Sequence, residues 1–380
     1  MKPRVLHIYK DYFPPVVGGI EKTIHLMCQG TKDEFDVRVL IAQREHSLST
    51  KRYCMDGIEI IEAPSFGRVS SAPACPTFPL LLRKLKSDIL HFHFPNPTGE
   101  ISYMIMEPPG RVVVTYHSDI VRQKTALRLY RPFIYRFLEC ADIILPTSPN
   151  YIEHSIFLSR FRDKCEVMPL GIDFKQFECT DSIRERAHSL RETFSTPIIL
   201  FVGVLRYYKG LHFLLQAMKS VDAFLVIVGS GPEEERLRNL SHELGIEDKI
   251  FFAGPVSDEE KVSYLYASDI FCLPSHLPSE AYGISQIEAM ICGIPVVSAS
   301  LPTGVPFVNQ DRESGLVVPP ANPEVLASAL NLLVNDETLR KEIGSKARER
   351  AQKYFSADIM INHLKRIYHS LISLSQQATP

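Results

Sequence analysis

The sequence predicts an α/β fold built from two parallel-sheet domains, and three observations predict it. Short apolar runs recur along the 380-residue chain, separated by segments with helical spacing, which is the strand–helix alternation of parallel sheets. The length exceeds one ordinary core and suits two domains of about 150 to 190 residues. The series of runs breaks at a charged, turn-rich stretch, residues 181–196, which reads as a linker leading into a helix, and then begins again. The expected division is 1–180, 181–355 and a last helix at 356–380.

In the first series, residues 5–9, 37–42, 58–62, 89–94, 111–115 and 142–146 read as buried strands. The loop after the first carries Pro14-Pro15 and Gly18-Gly19 ahead of a helix starting near Ile20. Paired glycines at such a turn let backbone amides approach a ligand at the helix N-terminus, so Gly18 and Gly19 are candidate binding residues, with Glu21 beside them. The run at 111–115 ends in Tyr116-His117-Ser118-Asp119. Ligands of open α/β sheets bind beyond the carboxyl ends of strands, so His117 is expected to face a site. Residues 120–138 hold five basic residues and no acids, with Tyr130, Phe133, Tyr135 and Phe137 interleaved and Pro132 placed to open a helix. That composition fits an anionic membrane surface or a core face with solvated charges.

The second series starts with residues 198–202, which lead into Gly203-Val204-Leu205-Arg206-Tyr207-Tyr208-Lys209-Gly210, a loop with two candidate cations, Arg206 and Lys209. Residues 224–228 run into Gly229-Ser230-Gly231. A dinucleotide motif would need a third glycine at 234, where the chain has Glu234, and the acids at 233–235 would repel a pyrophosphate, so this turn reads as structural. Residues 250–254 follow, then a loop containing Val256.

The chain is organised around residues 274–300. A strand ends at Leu273, a loop carries Glu280, and a helix begins near Gly283 with Ile284, Ile287 and Ile291 as its core stripe. Gly293 and Pro295 stop it, and Val296 opens the next strand. Glu288 lies in the helix, roughly 7 Å along the axis from Glu280 at 1.5 Å per residue. Between the two carboxylates lie the first amides of the helix, with Ala281 and Gly283 allowing a ligand close to the backbone. Carboxylate, anion-binding helix end and carboxylate suit a sugar, a diphosphate and a ribose in line.

This E-x7-E arrangement resembles the signature of the retaining GT-B glycosyltransferases of family four. The similarity extends over nearly the whole chain, including Pro169-Leu170-Gly171-Ile172-Asp173, which matches the family's P-x-G-I-D segment. The resemblance implies the GT-B fold: two Rossmann-like domains facing a cleft, with the last helix crossing back onto the first domain. It implies that Glu280 meets hydroxyls of the donor sugar, that Glu288 binds the ribose, and that the backbone of Ala281, Tyr282, Gly283 and Ile284 holds the donor. It likewise places Val256 at the base, Gly18 and Gly19 near the donor phosphate and acceptor, His117 beside the hexose, and Arg206 and Lys209 at the diphosphate. The chain departs from the family pattern at Val204, where an arginine is usual, and at Gly304, where two glycines are common.

The implied activity is retaining transfer of a mannose- or rhamnose-like hexose from a nucleotide sugar, with GDP as the favoured base and a UDP-sugar-dependent transferase as an alternative. The acceptor would be a growing, lipid-linked oligosaccharide of a surface polysaccharide. A sugar-nucleotide epimerase of the same architecture and a noncatalytic nucleotide-sugar-binding protein are the alternatives. The sequence contains neither D-x-D nor a Walker motif, so the expectation is a metal-independent enzyme with no cofactor, the nucleotide sugar being its substrate.

Eight cysteines without a C-x2-C pair read as small buried hydrophobes. Net charge is −2, unevenly spread: residues 1–180 hold 23 Lys and Arg against 20 Asp and Glu, which argues against a nucleic-acid partner. No stretch reaches the ~18 apolar residues of a spanning helix, and the N-terminus turns polar too soon for a signal peptide. The expectation is a cytoplasmic protein docking peripherally on the cytoplasmic face of the inner membrane.

Overall fold

The computed structural model describes residues 2–16, 18–69, 72–120, 124–194 and 197–377. The chain divides into two compact units, Met1–Gly171 with Ala357–Pro380, and Ile172–Ser356. The division falls inside the P-x-G-I-D segment and not at 180. Residues 181–193 are no linker: they form the helix Asp181–Thr193, capped by the Thr180 hydroxyl on the Ile183 amide, and it buries Ile183 and Ala187.

The first unit carries strands β1 (Arg4–Ile8), β2 (Asp36–Ala42), β3 (Lys51–Met55) and β4 (Ile58–Ala63). A short hairpin follows, β5 (Arg68–Val69) and β6 (Ala72–Pro73), and then β7 (Ile89–Phe94), β8 (Arg111–Tyr116) and β9 (Ile143–Pro146). Seven of these form one sheet in the order β3-β4-β2-β1-β7-β8-β9, parallel except for the β3–β4 pair. Strand alternation gives this sheet two different faces. Leu6, Ile8, Leu90, Phe92, Phe94, Val112, Val114 and Tyr116 point to one side, into a core closed by Phe78, Tyr103, Ile134, Phe137 and Leu138. His7, His91, His93, Thr115 and His117 occupy the alternate positions and are buried as well. Tyr368, from the last helix Ala357–Gln377, reaches this second face, hydrogen bonding with His91. That helix packs on Gly19–Thr31, where an added Cβ at Gly30 would collide with Ile361.

Strands β10 (Ile198–Val202), β11 (Phe224–Val228), β12 (Ile250–Gly254), β13 (Ile270–Leu273), β14 (Val296–Ala299) and β15 (Gly315–Val318) form the second sheet. Its order is β12-β11-β10-β13-β14-β15, all parallel. Chain direction across the sheet reverses between β10 and β13, as it does between β1 and β7 in the first. Such switch points are where open α/β sheets leave a crevice at the strand carboxyl ends. Gly229 and Gly231 are structural, as expected: a Cβ on either would strike the backbone of Gly203 or Leu205.

Pro132 does not open a helix. It lies inside Lys124–Cys140, on an exposed side where water can satisfy the Arg128 carbonyl that its missing N–H leaves unpaired. The cysteines are all free, but only Cys28, Cys75 and Cys272 are fully buried, while Cys54 and Cys140 are exposed.

Glu100, in the helix Pro97–Met106, was not singled out by its sequence context. It is 1% exposed, accepts from the Asn96 amide at 2.5 Å and from the Tyr130 hydroxyl, and burial raises its carboxyl from 4.5 to about 7. Between those two pH values the unfolded chain has released this proton while the folded chain keeps it, so stability falls as pH rises. Removing the titration by Glu100→Gln should flatten that slope. The expected difference between wild type and variant across the window is roughly 3 kcal/mol, read from urea unfolding at pH 4.5, 6 and 7.5. Parallel pH profiles would show that Glu100 does not titrate there.

Candidate functional site

In the second unit, the loops following β10 and β13 meet at the switch point. The chain leaves β10 through Gly203, makes a helical turn at Tyr207–Lys209, and passes Gly210 with φ 71°. A side chain at Gly210 would be strained by that backbone and would strike the carbonyl oxygen of Pro274, so the two loops touch through bare backbone here. The His276 amide adds a 3.0 Å bond to the Tyr208 carbonyl.

This contact brings Lys209 to Glu280. Their Nζ–Oε2 distance is 2.6 Å, with the side chains 11% and 8% exposed, and Ser275 donates to the same carboxylate oxygen at 2.8 Å. Burial alone would lower the Lys209 ammonium; the adjacent Glu280 carboxylate, with a contribution from Tyr208, outweighs it and holds the pKa above the ordinary lysine value. Arg206 stands apart, exposed, in no ion pair among the described residues. Val204 is also exposed, while Leu205 is buried.

Beyond Glu280 the chain reaches Gly283 at φ 72° and enters the helix Ile284–Ile291. Its buried side is Gln286, Ile287, Ala289, Met290 and Ile291; Ile284, expected in the core, is only half-buried, because the helix starts there and its first turn is not yet covered. Tyr282 turns its ring into the core against Phe355, which leaves the loop to contribute backbone. The Gly304 amide donates to the Ala281 carbonyl at 2.8 Å, and a Cβ at Gly304 would collide with the Tyr282 ring. Gly304 thus has a packing duty.

Glu288 is off the core side, with its side chain 16% exposed, and Lys261 binds its Oε1 at 2.9 Å. Lys261 was missed by sequence reasoning. It sits in the helix Asp258–Ala267, whose acid-rich start hides a single basic residue, and no spacing rule links it to Glu288. Burial would lower its pKa, but the Glu288 and Asp258 carboxylates together outweigh that and raise it. Val256 is half-buried in the loop just before the Ser257 capping box of that helix.

The other candidates belong to the first unit. Gly18 caps the helix Gly19–Thr31, and Glu21 folds its carboxylate over Gly18, where a Cβ would collide with it. Glu21 is therefore buried, 8% exposed, and burial raises its carboxyl. His117 lies just past the carboxyl end of β8, as its sequence position implied, but its ring is only 2% exposed. Its Nε2 is 3.1 Å from His93 Nδ1, its own Nδ1 has no partner, and burial lowers its pKa from 6.5 to about 3.

Comparison with known proteins accounts for both units. Residues 17–176 match the model described as Glycosyltransferase Family 4, and residues 184–350 match Glycosyl transferases group 1. The O-antigen chain mannosyltransferase C of Escherichia coli is 36% identical over 374 residues, 97% of this chain and 99% of that one. The chain is a GT-B glycosyltransferase of family four. D-rhamnosyltransferase WbpZ of Pseudomonas aeruginosa is also 36% identical, over 93% of this chain and 92% of its own. Sucrose-phosphate synthase from Thermosynechococcus elongatus shares the fold with a TM-score of 0.83 at 21% identity, covering 98% of this chain and 100% of that one. Membership selects the glycosyltransferase over the epimerase and the noncatalytic binding protein.

The buried pair gives a direct test of the β10–β13 junction. Lys209→Met should destabilise the second unit by about 3 to 5 kcal/mol, because it strands Glu280 as an unpaired buried charge, and Glu280→Gln in the same chain should recover much of that loss. Urea unfolding of both single variants and the double variant measures the coupling. Additive costs would mean the two side chains are independent in solution.

Proposed function

We propose that this glycosyltransferase moves a mannose- or rhamnose-like hexose, with retention of configuration, from a GDP-sugar to a lipid-linked oligosaccharide of a surface polysaccharide. The observation that carries the donor part is the Lys209–Glu280 pair at the β10/β13 switch point, followed directly by a helix N-terminus. Glu280, held by Lys209 and Ser275, keeps lone pairs for sugar hydroxyls. The helix end and Arg206 receive the diphosphate, on which negative charge grows as the glycosidic bond breaks. Lys209 adds a cation whose charge is shared with Glu280. Glu288, engaged by Lys261 through Oε1 only, keeps Oε2 for the ribose. The amides at 281–284 and the loop at Val256 complete the nucleotide side, and Gly18, Gly19 and His117 serve the hexose and acceptor. No step in this scheme calls for a metal or cofactor. The sugar and the acceptor class are suggested by the relatives, named for O-antigen mannosyl transfer and D-rhamnosyl transfer.

A thermal-shift panel of nucleotide sugars tests the donor assignment. A donor at a hundred times its Kd stabilises by about 2.7 kcal/mol, which raises Tm by roughly 5 to 10 °C for a unit of this size. GDP-mannose or GDP-rhamnose should produce this shift, UDP-glucose should not, and Glu288→Ala should abolish it. A shift with UDP-sugars alone would replace the GDP reading, and an undiminished shift in Glu288→Ala would remove Glu288 from the site.

The acceptor's lipid anchor requires approach to a membrane, and no helix among the described residues is long and apolar enough to cross one. The helix Lys124–Cys140 suits peripheral docking. It buries Ile134, Phe137 and Leu138 but exposes Leu129 (77%) and Phe133 (49%), four residues apart and flanked by exposed Arg128, Arg131 and Arg136. Ile101 and Ile105 on the neighbouring helix Pro97–Met106 are exposed too. Tyr130 is excluded from insertion by its bond to Glu100. Arg122 and the Lys124 side chain lie outside the described residues. Each surface arginine contributes about 1 kcal/mol at an anionic membrane, and Phe133 adds an apolar contribution that salt does not screen. Wild type should sediment with anionic liposomes, less so at high salt, and Arg128→Glu/Arg131→Glu should stay in the supernatant. Equal sedimentation of the two would overturn the docking surface.

A further inference from the structure

The four histidines on the second face of the first sheet form one hydrogen-bonded line. His117 Nε2 is 3.1 Å from His93 Nδ1, and His93 Nε2 is 3.0 Å from His7 Nδ1. His7 Nε2 is 3.4 Å from the Tyr368 hydroxyl, which is 2.5 Å from His91 Nδ1. His91 Nε2 is 2.7 Å from Thr115 Oγ1. The line therefore runs His117, His93, His7, Tyr368, His91, Thr115. One end is Thr115; the other is His117 Nδ1, buried with no partner.

The nitrogens of His7, His91 and His93 lie within 4.8 Å of one another, a spacing that raises the question of a metal. His7 and His93 lie edge to edge, nearly coplanar at 15° with centroids 5.3 Å apart across their 3.0 Å nitrogen contact, and His91 stacks on His93 at 4.6 Å and 20°. Both nitrogens of His7, His91 and His93 are already hydrogen-bonded along the line, which leaves no lone pair free for an ion. The cluster is a hydrogen-bond relay and not a metal centre.

Burial keeps the rings neutral: His7 and His117 are lowered to about 3, and His91 and His93 well below their ordinary value. A neutral imidazole has one N–H and one lone pair, so each ring passes on the direction of the bond it receives. Two directions exist. In the first, Thr115 O–H donates to His91, His91 Nδ1–H to Tyr368, Tyr368 O–H to His7, His7 Nδ1–H to His93, and His93 Nδ1–H to His117 Nε2. The remaining proton then sits on His117 Nδ1. In the second every bond reverses, and Thr115 becomes an acceptor whose own hydroxyl proton has nowhere to go. Thr115 is 0% exposed, and His91 is its only side-chain partner among the described residues. The second direction strands one more buried polar group than the first, so the first prevails.

We propose that Thr115 sets the tautomer of His117 through this line, so that His117 presents Nδ1–H to a ligand oxygen as a hydrogen-bond donor and offers no lone pair as a base. On the reading that His117 meets the hexose, on which this deepening rests, the ligand atom is a sugar oxygen acting as acceptor. His93, His7, Tyr368, His91 and Thr115 are then positioning residues.

The test is a two-bond 1H–15N correlation spectrum of the full chain labelled with 15N-histidine, His117 being assigned from His117→Gln. Wild type should show His117 as the Nδ1–H tautomer without any sugar present. An Nε2–H form there overturns the proposal whatever the enzyme's substrate, which separates its failure from failure of the hexose reading. Thr115→Val should populate the Nε2–H form and lower kcat about tenfold with little change in donor KM, the pattern of a contact made in the transition state. Thr115→Ser, which keeps the hydroxyl, should restore both. Tyr368→Phe cuts the same line in the middle and should also release the tautomer. A pure Nδ1–H signal in whichever of the Val and Phe variants folds overturns the coupling.

Discussion

The site in the second unit depends on one buried ion pair. Lys209 and Glu280 would each cost several kcal/mol to remove from water alone. Together, with the Ser275 hydroxyl on the same oxygen, they are tolerated at 11% and 8% exposure. Their meeting is a consequence of sheet order. β10 and β13 are neighbours although two strands intervene in sequence, and the loops beyond them touch at Gly210 and Pro274. Glu280 is thereby fixed just ahead of the helix Ile284–Ile291, with Glu288 further along the same helix, so a single junction orders both carboxylates.

The first unit solves a different problem with the same architecture. Its sheet is buried on both faces, as parallel sheets are, yet one face holds imidazoles where an apolar run would be ordinary. Such a face is stable only if its polar atoms largely satisfy one another, and they do so in a line that leaves His117 Nδ1 as its one unpaired ring nitrogen. The last helix supplies Tyr368 to that line. A segment that is remote in sequence is thus part of the polar network behind a candidate site residue.

Several local features were settled by burial that no period reveals. Residues 181–193 look like a linker by charge, but Ile183 and Ala187 are four apart and enough to seat a helix. Pro132 looks like a helix start, but its exposed position lets water replace the lost bond. Ile284 fits the apolar stripe by spacing, yet it stands at the first turn, where coverage is incomplete, while Gln286 is fully buried. Exposed Leu129 and Phe133 could not be told from core residues by pattern, since the same helix buries Ile134 and Phe137.

What the sequence determined by itself was the parallel strand and helix series, though not β3 or the β5–β6 hairpin, together with the structural nature of Gly229-Ser230-Gly231 and the placing of Glu280, Glu288 and His117 at strand carboxyl ends and a helix start. These follow from short-range rules: period, turn residues and capping act within a few positions and are written locally. Tertiary structure alone decided which distant groups would meet. Lys209 with Glu280 joins loops of neighbouring strands, Lys261 with Glu288 joins two helices, and Tyr368 with His91 joins a helix to a strand. Their partners are chosen by strand order and by the need of each buried polar atom for a bond, and neither is encoded at any one place in the chain.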